Sequence, residues 1–196
     1  MIGRRFCRRR GALRLGGDSR GVAALEFALM APVLALLFFG IFAISQFARA
    51  KMLLSSTASS MASMVASQLT TTSTLLDDFC KGGSAAAGGV QLMMRPYAGT
   101  SLSMSIVSYT KKSDSTLNKD WEYNRACQAV ATSINTSSTQ TNVATPLLPN
   151  PGDSVIIVQA NYSYISSYTS IVPNMTLIQQ AFSRPRFSTI ACSGCS

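Results

Sequence analysis

From Val22 to Ile44 the chain runs for 23 residues with a single charged side chain, Glu26. About 20 predominantly apolar residues are enough to cross a bilayer as a helix. This stretch must therefore be housed in lipid or against other helices before the rest of the chain is placed. Seven arginines precede it, Arg4, Arg5, Arg8, Arg9, Arg10, Arg14 and Arg20. A basic flank of this kind predicts a cytoplasmic N-terminus and a chain that crosses the membrane after Ile44. Glu26 is the anomaly. A carboxylate in an apolar span is costly, so its default reading is functional; the plainer alternative is an acid that favours a helix N-terminus in an uncleaved anchor. Pro32 has no N–H and crowds the carbonyl of Ala28, which predicts a kink or loosened turn, and Gly40 adds a second soft point.

The net charge of +9 divides unevenly. Residues 1–21 hold seven Arg and one Asp, a balance of +6, which leaves ten Lys and Arg against seven Asp and Glu, or +3, for the remainder. The basicity is thus a membrane-orientation signal. The later cations are scattered and form no nucleic-acid footprint. The chain has no His, so it lacks the commonest general base and the commonest metal ligand. The many serines have no His partner, and a Ser–Lys pair has no pattern to support it. No catalytic residue, metal set, cofactor or small-molecule substrate is expected.

Of five cysteines, Cys7 lies in the basic leader and Cys80, Cys127, Cys192 and Cys195 lie on the exported side, where disulfides persist. Four cysteines allow three pairings. The short CSGC loop makes Cys192–Cys195 feasible and leaves Cys80–Cys127 as the longer staple. CSGC also has redox spacing, but a thioredoxin-like site needs that motif at a helix N-terminus, and no helix follows it.

Beyond Ile44 the apolar residues Phe47, Ala50, Leu54, Ala58, Met61, Val65 and Leu69 recur every three or four positions, which predicts one helical face. The expectation is a single helix over about 22–70, apolar all round in its first half and amphipathic in its second. A short helix is expected at 74–81, with Thr or Ser as its cap, then a flexible connection at 82–89 and a helical turn before Pro96. From 101 the period turns to two. SLSMSIVSYT reads as a half-buried strand with serines outward, followed by a polar turn and a second strand around Trp121, a core anchor. Residues 132–153 read as a long Ser/Thr/Asn/Pro loop, 154–164 as the best strand, and 175–187 as a last strand that Pro185 limits. The fold class is α+β: a pilin-like N-terminal helix packed on a small antiparallel sheet. The domain reading is a leader at 1–21, a transmembrane helix at 22–45, its amphipathic continuation at 46–73 and a periplasmic domain at 74–196. Asn135 and Asn161 match a glycosylation sequon of little specificity. Tyr162, Tyr164 and Tyr168 are either packed on the sheet or an exposed partner surface.

The strongest constellation is Gly21-Val-Ala-Ala-Leu-Glu26-Phe, preceded by arginines and followed by the apolar run. It resembles a type IV prepilin cleavage site, with cleavage after Gly21 and Glu26 as the fifth mature residue. Cleavage would create a charged amine at Val22 one helical turn from Glu26. In a bundle, that carboxylate could neutralise the amine of a neighbouring subunit inside an apolar core. More narrowly, Gly21, Ala24, Glu26, Phe27, Ala28, Pro32 and the pair Phe39-Gly40 resemble the TadE-like family, minor pseudopilins of tight-adherence (Flp, type IVc) pilus machines. The later LDDFC segment, the lone Trp and the strand Val155–Tyr164 resemble it more loosely, and the Ser/Thr/Pro loop and CSGC have no counterpart there.

The resemblance implies a single-pass inner-membrane component with its C-terminal domain in the periplasm. Its partners would be a prepilin peptidase, other pilins or pseudopilins, an inner-membrane assembly platform and the membrane itself, with a part in pilus initiation, assembly or tip structure and so in adhesion. Two other readings stand beside it. One is an uncleaved periplasmic scaffold of the same secretion system, with Glu26 used only between helices. The other is a membrane-tethered thiol oxidoreductase acting through CSGC.

Overall fold

A computed structural model describes residues 19–81, 88–97, 102–114, 116–124, 127, 145–186 and 189–195. Most of the leader, with Cys7, the connection at 82–87 and most of the Ser/Thr/Pro loop, with Asn135, lie outside the described residues. Compact units divide at Phe42, the first ending there and the second running from Ala43 to Ser196.

Helix α1, Ser19–Ala66, contains Pro32. In the first unit its side chains from Val22 onward face outward: Val22 is 59 % and Leu29 73 % exposed. This is the one helix among the described residues long and apolar enough to cross a membrane. Burying each such side chain in lipid or protein is worth roughly 1.5–3 kcal/mol, so this half of the helix favours an apolar environment.

The second unit is built on residues 43–66 of α1. Ala43, Ala50, Leu54, Ala58, Met61, Ala62, Val65 and Ala66 form one buried stripe, and its many alanines let a sheet approach closely. The sheet has strand order β3-β2-β4-β5, from β2 (Leu102–Lys111), β3 (Leu117–Tyr123), β4 (Ser154–Tyr164) and β5 (Met175–Ser183), and all neighbouring pairs are antiparallel. Leu102, Met104, Ile106, Ile156, Val158, Ala160, Tyr162 and Leu177 share the core with the helix stripe. The architecture is the expected α+β arrangement of a long N-terminal helix and a small antiparallel sheet.

Four details differ from the sequence reading. The helix ends at Ala66 and not near 70, so the amphipathic continuation does not reach 73. Leu69 falls off the periodic face and is 67 % exposed. Residues Thr70–Thr72 form a short strand, β1, paired in parallel with β6, Ala191–Ser193. Helix α2, Ser73–Lys81, follows at once, capped by Thr72, whose Oγ1 accepts the Leu75 N–H at 3.2 Å.

The third difference lies in β2, which is buried on both faces. Ser103 and Ser105, read as outward, are buried, and Ser108 is buried on the core-facing side opposite Trp121 and Ile156. Val107, Tyr109, Leu148, Val155 and Ile157 form a second cluster on the outer face. Ser105 donates to Asn124. Ser108 donates to Asp120 Oδ2 at 3.1 Å, where the β2–β3 register shifts between Ser108 and Tyr109 and Asp120 is the extra residue of the bulge. The fourth difference is at the chain's last long strand. It stops at Ser183, before Pro185, and not at 187.

Short α3, Gly89–Met93, ends near Tyr97, whose hydroxyl donates to Gln46 of α1. Trp121 is buried, and its indole N–H donates to the Ile190 carbonyl at 2.7 Å. Tyr162 and Tyr164 are buried in the core and Tyr168 packs against it, so packing explains the tyrosine cluster.

Candidate functional site

Gly21, Val22 and Glu26 stand on the first turns of α1, with Val22 and Glu26 four residues apart and so on one face. All three are exposed. Glu26 makes no hydrogen bond or ion pair with the described residues, and it is the only charge on an outward-facing apolar surface. Gly21 has no packing reason within this chain, because a Cβ there would meet nothing within 4 Å. It stands in the first turn of α1, and no described neighbour requires a glycine there. Gly40 is equally open.

Pro32 lies inside the same helix. It cannot donate to the Ala28 carbonyl, which leaves that acceptor for another group.

The structure joins Cys80 to Cys127 and Cys192 to Cys195. The first bridge is buried, with both residues at 2 % exposure or less. It ties α2 to the segment after β3. The second closes the turn after β6 and is partly exposed. Gly194 sits in that turn at φ +79°, and a Cβ there would lie 2.6 Å from Ser73 Oγ. The positive φ favours glycine, and any larger residue would also push the Ser73 hydroxyl aside.

The CSGC turn therefore rests against the first residue of α2. Sequence reasoning missed this helix neighbour because it precedes the motif by more than a hundred residues. The adjoining concavity, about 370 Å³, is lined by Asp120, Trp121, Ile190, Cys192 and Cys195 among others. Among the described residues no three His, Cys, Asp or Glu side chains converge as a metal site.

On the sheet, electrostatics is local. Lys119 pairs with the buried Glu122 at 2.9 Å, and Arg184 with Asp153 at 2.6 Å. Burial, and secondarily the charge of Glu122, holds the Tyr109 hydroxyl above its ordinary range. Hydrogen bonds from the Thr116 hydroxyl and N–H hold Asp114 below the ordinary range of a carboxylate. Asn161, one of the two sequon residues, is buried in the middle of β4.

No curated protein and no solved structure matches the chain. Over residues 21–63, the part of α1 that holds Gly21, Glu26, Pro32 and Gly40, the chain carries a segment that matches the family described as TadE-like protein.

Proposed function

We propose that this chain is a minor pseudopilin of a tight-adherence (type IVc) pilus machine. It inserts through the apolar half of α1, with the C-terminal unit in the periplasm. A prepilin peptidase removes the leader after Gly21, and the chain then takes part in pilus initiation, assembly or tip structure. The observation that carries this reading is Glu26: an exposed, unpartnered carboxylate on an otherwise apolar helix, one turn from Val22. An anchor that needed only lipid would have no use for it. A helix that packs against other helices can use it, because the carboxylate would neutralise the new amine of the adjacent subunit.

Gly21 supports the same reading, since the fold does not require it. The two disulfides suit an exported domain.

The test is a Glu26→Ala variant in a host with the complete machine. It is expected to be inserted, cleaved and stable, but to lose pilus assembly. Normal piliation by this variant would count against the proposal.

A further inference from the structure

We propose that the loop between β4 and β5, residues 165–174, is a membrane-contacting surface that rests in the phospholipid headgroup region beside the point where the span ends. The inference rests on the membrane-anchored reading and adds a second, peripheral contact to it.

The position of the loop follows from three contacts within the second unit. Tyr164, the last residue of β4, packs edge-on against Phe47 of α1, with ring centroids 5.6 Å apart. Tyr164 is also the register partner of Met175, the first residue of β5. At the other end, the Arg186 N–H donates to the Ala66 carbonyl at 3.2 Å. β5 and the residues after it therefore run alongside α1 from the level of Phe47 towards the level of Ala66, a helix length of about 28 Å at the standard rise. The β4–β5 loop is at the Phe47 end, and Phe47 is less than one turn beyond Ile44, where the apolar run stops.

The chemistry of that end suits a bilayer surface. Ile165 is 75 % exposed, and Ile171 and Met175 are 42 % and 38 % exposed. The loop is a built turn: Ile171 and Val172 donate to the Tyr168 carbonyl at 3.0 Å, and the Ser166 N–H donates to Asn174 Oδ1 at 2.8 Å. Ile165 and Ile171 are thus held outward by a hydrogen-bonded frame. Tyr97 and Tyr168, both half-buried, lie at the same end, and tyrosine is enriched where membrane meets water. From Tyr162 to Ser183 there is no charge, so nothing opposes approach to lipid. The neighbouring segments 43–53 and 88–97 carry Arg49, Lys51 and Arg95 and no acid, the sign that anionic headgroups attract.

The test places a nitroxide at Ile165 or Ile171 through Ile165→Cys or Ile171→Cys. The background is Cys7→Ser, and the full chain is held in nanodiscs of phosphatidylethanolamine and phosphatidylglycerol. Reference labels go at Ser113, in the distal β2–β3 turn, and at Leu34, in the span. Accessibility to oxygen and to a water-soluble nickel complex is then compared. The expected result is an oxygen-to-nickel ratio at Ile165 and Ile171 severalfold above that at Ser113 and below that at Leu34. A ratio at both loop positions equal to that at Ser113, with Leu34 in lipid, overturns the loop contact and leaves the anchor standing. A water-like ratio at Leu34 overturns the anchor, and the loop proposal with it. Labels shielded from both reagents would mean a protein cover and would also overturn the proposal.

Discussion

Trp121 donates its indole N–H to the carbonyl of Ile190 at 2.7 Å, across 69 positions of sequence, and so ties β3 to the segment that enters β6. Both residues are buried. Trp121→Phe keeps much of the apolar volume but leaves a buried carbonyl without its donor. Such an orphan costs about 1–3 kcal/mol. We expect a lower urea midpoint for the full chain in detergent, followed by circular dichroism because no other Trp is present. An unchanged midpoint would mean that this bond does not hold β6 in place.

The two disulfides should differ in strength and in reach. Loop entropy gives about 4 kcal/mol for the 47-residue separation of Cys80 and Cys127 and about 2 kcal/mol for the three-residue separation of Cys192 and Cys195. The first bridge is buried and the second partly exposed. Mild dithiothreitol followed by alkylation and mass spectrometry should label Cys192 and Cys195 first. The pair Cys80→Ala/Cys127→Ala should lose more stability than Cys192→Ser/Cys195→Ser.

Tyr109 makes an alkaline prediction. Its hydroxyl is buried with no hydrogen-bond partner among the described residues, and burial followed by the charge of Glu122 raises its pKa. The neutral phenol is therefore the form the fold favours. Its contribution is complete below the unfolded value near 10 and is lost as pH rises from there through the folded value. Tyr109→Phe should flatten the fall in stability above pH 10 and leave neutral-pH stability equal or higher by up to about 1 kcal/mol, because an unpaired buried hydroxyl is removed. A steeper alkaline loss in the variant would contradict this.

Asp114 gives the acid counterpart. Thr116 donates to it from its hydroxyl at 2.6 Å and its N–H at 3.0 Å, and these bonds lower its pKa. The stability it supplies is present above the unfolded value of 3.8 and is lost as pH falls through the folded value. Thr116→Val should bring the Asp114 titration, followed by NMR, back towards the ordinary carboxylate value.

The features legible in the sequence were those written in local period. The apolar run and its continuation through Leu54, Met61 and Val65 announced α1, and the Val155–Tyr164 strand is where its alternation put it. What escaped depends on residues far apart. β1 and β6 are three residues each and meet across about 120 positions, so neither has a pattern of its own. Ser103 and Ser105 read as a solvent face because serine is polar. They share a face with Val107 and Tyr109, where Leu148, about forty residues later, joins a second cluster. Leu69 kept the helical spacing after the helix had ended. At the N-terminus, Gly21 and Glu26 were legible because each breaks an expectation about helices in apolar surroundings. The outward isoleucines of the 165–174 loop break no local rule, and only their level beside Phe47 gives them meaning.

The account depends on α1 being retained and on its free end lying next to Glu26. Intact-mass analysis with N-terminal sequencing, on protein recovered from a host with an active prepilin peptidase, tests this most directly. A mature chain that begins at Val22 is the predicted result. A chain that begins at Met1, or one that begins downstream of Ile44, would contradict it.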